Sequence, residues 1–238
     1  MNFLHRVSAL ASIAATALAF AGAAVAQSQV VVVEMFTSQG CSSCPPADEI
    51  FSELAKQDDV VALGLHVHYW DYLGWKDAFA QEKFATRQEY LNMNIPSRYR
   101  RVTPQMIFNG QSQVAGARAS MIERQLQTAR AQKPLADIDM ATRGNRLELR
   151  VISLSGQTKP SDIHLVHYLK RAVVPIESGE NRGRTVSYAN IVSSWETIGE
   201  WSGKSPLTLS YTLKRNEPFA VIVQAKNFGR IYTAQRMD

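Results

Sequence analysis

Residues 30–48 have the sequence VVVVEMFTSQGCSSCPPAD, in which a β-branched apolar run leads directly into two cysteines. The apolar run from Val30 to Phe36 predicts a buried strand, because continuous runs of this kind are typical of strands covered on both faces. Pro46 to Gln57 predicts a helix, with acidic residues near its start and apolar residues on one side. The cysteines therefore lie at the turn between a buried strand and a helix.

Cys41 and Cys44 are the only two cysteines in the 238-residue chain. A bridge between them closes so short a loop that it adds little stability through chain entropy. The start of a helix offers unpaired backbone N–H groups, which favour a thiolate. We predict redox chemistry, with Cys41 as the nucleophile and Cys44 as the resolving thiol. A structural clip and a metal site are the alternatives.

Two prolines, Pro45 and Pro46, follow the second cysteine directly. A proline disfavours helical backbone for the residue before it. We therefore expect the regular helix to begin at Pro45 or Pro46, with the cysteines in a loop ahead of it. Cys41 would then experience less of the helix dipole.

The chain up to residue 134 continues to alternate between strand and helix patterns. The predicted elements are a buried strand from Val60 to Val67, one or two helices from Lys76 to Met93, short strands over Gln105 to Phe108 and Ser112 to Val114 around Asn109-Gly110, and a helix from a capping box at Ser120 to Glu123 as far as about Lys133. This order predicts a mixed sheet with helices on both faces.

The pattern changes after Lys133-Pro134, where alternating runs are separated by glycine and asparagine turns. These runs predict an antiparallel β-rich C-terminal domain over residues 135–238. Val186 to Trp201 is ambiguous between strand and helix. The chain thus divides into an α/β segment and a β-rich segment.

Three stretches of the chain resemble a family of secreted bacterial proteins known as domain of unknown function 1223. They are residues 34–48, residues 69–77 (YWDYLGWKD) and residues 179–185 (GENRGRT). The strand before the cysteines, together with Thr103-Pro104 ahead of a strand and hairpin, also resembles thioredoxin. The resemblance implies a thioredoxin-like α/β domain over residues 27–134, followed by the β-rich unit. It implies no established substrate.

The resemblance to thioredoxin implies roles for three residues. Glu34 corresponds to the buried acid that helps to deprotonate the resolving cysteine; an acid facing a polar interface with the second domain is the alternative. Pro104 corresponds to a cis-proline that faces the disulfide, where an ordinary trans-proline is the alternative. Thr103 would offer its backbone to an extended substrate strand.

The aromatic stretch over residues 69–75 is the next candidate for substrate binding, and we predict that its Trp70 walls the active-site groove. Covering the second domain is the competing interpretation. His66 and His68 end the second predicted strand on one face, near the cysteines. Cys41, Cys44 and one of these histidines would suit copper or zinc. A metallochaperone is therefore an alternative function, although we predict no metal and no cofactor.

The polar turn from Glu180 to Arg184 is predicted to be a solvated loop, with an anion site at Arg182 and Arg184 as the alternative. Residues 1–26 have a short basic start, an Ala-rich apolar stretch and a small-residue cleavage site, which predicts a cleavable signal peptide. A membrane anchor is the alternative. After cleavage we expect no stable membrane span and a periplasmic or secreted protein.

The net charge of +5 is mild and its basic residues are scattered, which argues against nucleic acid as a partner. We predict an exported thiol–disulfide oxidoreductase or a redox-regulated relative. Its partners would be protein thiols or disulfides of the cell envelope. A non-catalytic binding module on the same fold is the remaining alternative.

Overall fold

A computed structural model describes residues 30–237 of the chain, so the signal-peptide prediction for residues 1–26 lies outside the described residues. The first part of the described chain alternates between strands and helices in the predicted order. Its elements are β1 (Val31–Thr37), α1 (Pro45–Leu54), β2 (Val60–His66), a 3₁₀ turn (Asp71–Leu73), α2 (Glu82–Asn94), β3 (Gln105–Phe108), β4 (Ser112–Ala115) and α3 (Ala119–Arg130).

The strands of this first part lie in the order β2-β1-β3-β4. β1 is parallel to β2 and antiparallel to β3. Apolar side chains of β1 alternate between the two faces: Val31 and Val33 pack with α1 and α3, whereas Val32 and Phe36 pack with α2. β1 is therefore apolar on both faces because helices cover both, as the continuous valine run predicts.

The second part of the described chain consists of strands. They are β5 (Ala136–Arg143), β6 (Arg146–Ser153), β7 (Ser161–Pro175), β8 (Thr185–Trp201), β9 (Leu207–Thr212), β10 (Phe219–Ala225) and β11 (Ile231–Met237). β5, β6 and β9 form a three-stranded sheet. The predicted fold class is confirmed: a mixed α/β sheet flanked by helices, with a β-rich C-terminal part. Within residues 30–237, no helix is long and apolar enough to cross a bilayer.

The other C-terminal strands join the first sheet, which has eight strands in the order β11-β10-β7-β8-β2-β1-β3-β4. The junction is a single pairing between Gly64 of β2 and Ile191 of β8. Glycine suits this crossing, because a Cβ on Gly64 would lie only 3.1 Å from the carbonyl oxygen of Ala189 and the strands would have to move slightly apart. Strands from both sides of residue 134 thus share one sheet; the division into domains stays a prediction.

Two local expectations are corrected and one open question is resolved. α2 is one helix that begins at Glu82, because the segment before it turns so that Asp77 can accept hydrogen bonds from elsewhere in the chain. α3 begins at Ala119 with Arg118 as its N-cap and without a side-chain capping bond, so the predicted capping box at Ser120 does not form. The ambiguous segment is the long strand β8, which pairs along most of its length with β7.

A buried ion pair connects the two parts of the chain. Glu34 of β1 accepts hydrogen bonds from Nε and Nη2 of Arg87 in α2, at 2.5 and 3.0 Å. The guanidinium also donates to Gln224 of β10 at 3.0 Å and lies 3.8 Å from the ring centroid of Trp195 in β8. Both charges are buried, and four elements meet at this one arginine.

We predict that Glu34→Gln lowers the free energy of unfolding by about 3 to 5 kcal/mol, because it leaves the buried guanidinium of Arg87 without its counter-charge. Urea denaturation of the oxidised protein measures the loss. Glu53→Gln is the matched control, since its pair with Lys56 is exposed and such pairs contribute about 1 kcal/mol or less. Equal losses in the two variants would contradict the prediction.

Candidate functional site

Cys41 and Cys44 form a disulfide at the point where the chain leaves β1 and enters α1, with a Cα–Cα separation of 5.4 Å. Cys44 is the N-cap of α1, and the helix begins at Pro45, as the two prolines predict. The carbonyl of Cys44 accepts bonds from the N–H groups of Ala47 and Asp48. The cysteines therefore precede the helix, and Cys44 alone is in direct contact with its first turn.

The disulfide is covered rather than open to solvent. Cys41 is 2% exposed and Cys44 is 0% exposed, although the intervening Ser42 and Ser43 are exposed. Asn181, which lies between β7 and β8, donates both hydrogens of its side-chain amide to carbonyls of the cysteine loop, at 2.9 Å to Gln39 and 2.9 Å to Cys41. The tip of the β7–β8 hairpin is thus a cover over the cysteine loop.

The prediction of a solvated loop for residues 180–184 holds for Arg182 and Arg184, which are exposed, and is wrong for Asn181, which is 2% exposed. Two further contacts fix the tip. The hydroxyl of Ser178 donates to the carbonyl of Gly74 at 2.6 Å, and a Cβ on Gly179 would lie 3.1 Å from Cβ of Trp75. The hairpin is therefore seated on the aromatic loop as well as on the cysteines.

The aromatic loop contacts both the substrate-binding candidates and the C-terminal strands. Trp70 Nε1 donates to the hydroxyl of Thr103 at 2.7 Å. Trp70 also packs against Gly40, where an added Cβ would lie 3.1 Å from the Cβ of Trp70. Trp75 Nε1 donates to the side chain of Gln39 at 2.8 Å and packs in a cluster with Tyr188 of β8. Trp70 therefore lies beside the predicted substrate-binding residues, whereas Trp75 packs against the C-terminal strands.

The Thr103–Pro104 peptide bond is cis, which is the isomer that the resemblance to thioredoxin implies. Its place follows from the pairing of β3 with β1, where Gln105 lies opposite Phe36. Pro104 therefore lies beside the carboxyl end of β1, which is where the cysteine loop begins. The side-chain amide of Gln88 in α2 holds the approach to this bond by donating to the carbonyl of Val102 at 2.6 Å.

A buried polar pair lies beneath the cysteine loop. His66, the last residue of β2, is 2.7 Å through Nδ1 from Oδ2 of Asp77. The same carboxylate oxygen accepts the backbone N–H of Gln39 at 2.8 Å. Tyr188 stacks edge-on against the imidazole with ring centroids 4.8 Å apart. His66 is thus engaged by a carboxylate and an aromatic ring.

Asp48 is a second buried acid, and sequence reasoning missed it. Burial raises its pKa from 3.8 to about 7, and the charge of His66 and the hydroxyl of Thr37 offset part of that rise. Its Oδ2 is buried without a hydrogen-bond partner. Asp48 lies four residues after Cys44 in α1, a spacing that places two side chains on the same face of a helix. That spacing was the available signal, but an acid near a helix start is ordinarily explained by the dipole.

Glu34, the acid predicted from the sequence, lies in β1 and is paired with Arg87. It alternates with residues that pack against α1 and shares the face of β1 that α2 covers, where Arg87 binds both of its oxygens. Its role in catalysis stays a prediction. Asp48 is therefore a second candidate acid, in the helix that Cys44 caps, whereas Glu34 is paired with Arg87.

Among the described residues there is no group of three or more His, Cys, Asp or Glu side chains placed to hold a metal ion. His66 is bonded to Asp77, and His68 is half-buried with no hydrogen-bond partner for its Nδ1. The copper or zinc set that the sequence left open is therefore not assembled in this arrangement.

Residues 32–224 match the sequence profile described as "Protein of unknown function (DUF1223)". The chain belongs to this family. A crystal structure of a protein from Agrobacterium tumefaciens is similar to it, with 28% sequence identity and a TM-score of 0.76, over 89% of this chain and 95% of that one. HBP35 of Porphyromonas gingivalis shares the fold at 12% identity and a TM-score of 0.61, over 88% of this chain and 75% of that one. No curated protein matches the chain significantly.

We predict that Asn181→Ala raises the rate at which a soluble phosphine or dithiol reduces the disulfide by about tenfold, because two hydrogen bonds together contribute about 1 to 3 kcal/mol to keeping the hairpin tip closed. Stopped-flow reduction at fixed pH measures the rate. Arg182→Ala is the control, since this neighbour is exposed. Unchanged reduction of the Asn181 variant would mean that the tip does not limit access.

Proposed function

We propose that the protein is an exported thiol–disulfide oxidoreductase, or a redox-regulated relative, that acts on protein thiols or disulfides of the cell envelope. The observation that carries the proposal is the Cys41–Cys44 disulfide just before α1. Thr103 and Pro104 lie beside the same carboxyl end of β1 from which the cysteine loop begins. The cysteine pair closes a loop too short to stabilise the fold appreciably through chain entropy. A periplasmic or secreted location is part of the proposal and is supported by the signal-like sequence of residues 1–26.

The exchange proceeds in two steps whose atoms balance. A substrate thiolate attacks Sγ of Cys41, the bond to Cys44 breaks, and Cys44 leaves as a thiolate. A second substrate thiolate then attacks the substrate sulfur of the mixed disulfide, so that the substrate gains a disulfide and Cys41 leaves as a thiolate. The substrate is oxidised and the cysteine pair is reduced; the reverse sequence reduces a substrate disulfide.

In this proposal Asp48 supplies the proton for Cys44, which is the more deeply buried of the two cysteines. In its protonated form it gives a proton to the Cys44 thiolate as that group leaves, and its carboxylate takes the proton back when Cys44 must attack. A pKa of about 7 suits both directions, because a proton donor is most effective when its pKa is near the working pH. The position of Asp48, four residues after the N-cap Cys44, supports this assignment.

Thr103 and Pro104 bind the substrate backbone in the proposal, with Trp70 in support. The hydrogen bond from Trp70 to the Thr103 side chain leaves the main chain of Thr103 available to an extended segment, which is the form of recognition known as strand addition. Trp70 itself is half-buried and forms a wall beside Gly40 and the cysteines. These contacts would align a substrate sulfur with Cys41.

We predict that Cys44→Ser accumulates mixed disulfides between Cys41 and partner proteins, because no resolving thiol remains to release them. Cys41→Ser should trap few or none. The experiment expresses each full-length variant in a cell that exports it and separates the captured species under non-reducing conditions. Traps that form only with Cys41→Ser would reverse the assigned polarity. If neither variant traps a protein and reduction strongly destabilises the fold, the pair is a structural clip.

We predict that Asp48→Asn slows oxidation of a model dithiol by roughly 100-fold or more, as expected when a positioned proton donor is removed. The inflection of the rate near pH 7 should disappear with it. A pH–rate profile from pH 5.5 to 8.5 measures both effects. Glu49→Gln, an exposed neighbour on the same helix, is the control. A profile that keeps its inflection in Asp48→Asn excludes this residue from the reaction.

The same variant has an independent readout in stability. Because the pKa of Asp48 is raised in the folded protein, the folded state keeps a proton that the unfolded chain releases above about pH 4. The free energy of unfolding therefore falls as the pH rises from about 4 to 7, by at most about 4 kcal/mol. Asp48→Asn should remove this decline in the oxidised protein, as measured by urea denaturation at each pH.

A further inference from the structure

An open groove that the proposed exchange chemistry does not use runs along the outer side of α1. Its volume is about 1040 Å³. Pro45, Pro46 and the exposed flank of α1 form one wall, and residues 184–190 of β8 form the other, joined by Lys170 of β7. One end of the groove is formed by Pro45, the residue that follows Cys44, although neither cysteine lines the groove.

The β8 wall offers a strand edge. From Thr185 to Ala189, β8 is paired with β7 on one side. On its other side, within the described chain, β8 pairs with a strand only where Ile191 meets Gly64. The five residues from Thr185 to Ala189 span about 17 Å, close to the roughly 15 Å length of the ten-residue α1. The edge is therefore long enough to pair with about five residues of extended polypeptide.

The groove carries more basic than acidic side chains and therefore favours an acidic polypeptide. Its lining carries five basic side chains and two acidic ones, which are Lys56, Lys170, Arg171, Arg184 and Arg236 against Glu49 and Glu53. Lys170 and Arg184 are exposed, and within residues 30–237 neither forms an ion pair with a carboxylate. A cationic surface of this kind attracts acidic partners and speeds their association.

We propose that this groove binds an extended, acidic segment of a protein substrate, which adds as a strand to the free edge of β8. Main-chain hydrogen bonds supply affinity that is largely independent of sequence, and Lys170 and Arg184 supply the preference for acidic side chains. In the setting of the proposed oxidoreductase, on which this use of the groove rests, the bound segment holds its protein next to Cys41 and Cys44. The groove differs from the Thr103 and Pro104 site, which lies across β1 from it.

The test uses a fluorescein-labelled, cysteine-free decapeptide in which Glu alternates with Thr, and a second decapeptide with Lys in place of Glu. Fluorescence anisotropy with the oxidised full chain should show binding of the acidic peptide, weakened as salt rises. The double variant Lys170→Glu/Arg184→Glu should weaken that binding by at least tenfold. The control Arg143→Glu/Lys204→Glu makes the same change of charge at exposed sites outside the groove and should leave binding within twofold.

Strand addition is tested separately from charge. Two acidic decapeptides that are N-methylated at alternate residues, in opposite registers, should differ by at least fivefold in affinity, because in one register the methyl groups block the bonds to β8. Equal binding of both registers overturns strand addition. Equal binding of acidic and basic peptides, no binding of either, or equal loss in the control double variant overturns the groove.

This test is independent of the proposed function, because the peptides contain no thiol. If the acidic peptide binds but no mixed disulfides are trapped, the groove proposal is supported and the oxidoreductase proposal is rejected. If mixed disulfides are trapped but no peptide binds, the oxidoreductase proposal is supported and the groove proposal is rejected. Circular dichroism of the double variant confirms that its fold is intact before binding is measured.

Discussion

The ion pair between Glu34 and Arg87 is the contact on which the arrangement of the whole chain depends. It brings a carboxylate of the central strand, a guanidinium of α2 and the side chains of Gln224 and Trp195 from the C-terminal strands into one buried place. A buried charge tolerates little displacement, since its desolvation is offset only while its partner and hydrogen bonds are in position. The N-terminal and C-terminal strands of the eight-stranded sheet are thereby held in position relative to α2, and the β7–β8 hairpin reaches the cysteines from the same sheet.

The two faces of β1 consequently have separate polar centres. Glu34 is satisfied on the α2 face and holds elements together, whereas Asp48 lies among Thr37, His66 and Asp77 on the side of the cysteines with one oxygen unpartnered. Asp48 therefore combines a raised pKa with a carboxylate oxygen that has no hydrogen-bond partner. The proposed proton transfer therefore uses Asp48, whereas the ion pair of Glu34 connects elements of the fold.

Much of the fold could be predicted because its signals are local. The valine run fixes β1, the two prolines fix the start of α1, and Asn109-Gly110 marks the hairpin. The covering of the cysteines could not be predicted in this way, because Asn181 contacts a loop 140 residues earlier and looks like an ordinary turn residue in sequence. Asp48 was missed for a related reason: whether an acid is buried is decided by what packs against its helix.

The length of chain between Asn181 and Cys41 also sets an order of events during synthesis. A polypeptide that emerges amino terminus first presents both thiols before the hairpin that covers them has been made. An oxidant that meets the growing chain finds an open pair, whereas one that meets the finished molecule finds a pair beneath a docked hairpin. The same redox reaction therefore needs the hairpin tip to move in the finished molecule and needs no such movement in a chain whose C-terminal strands have not yet been made.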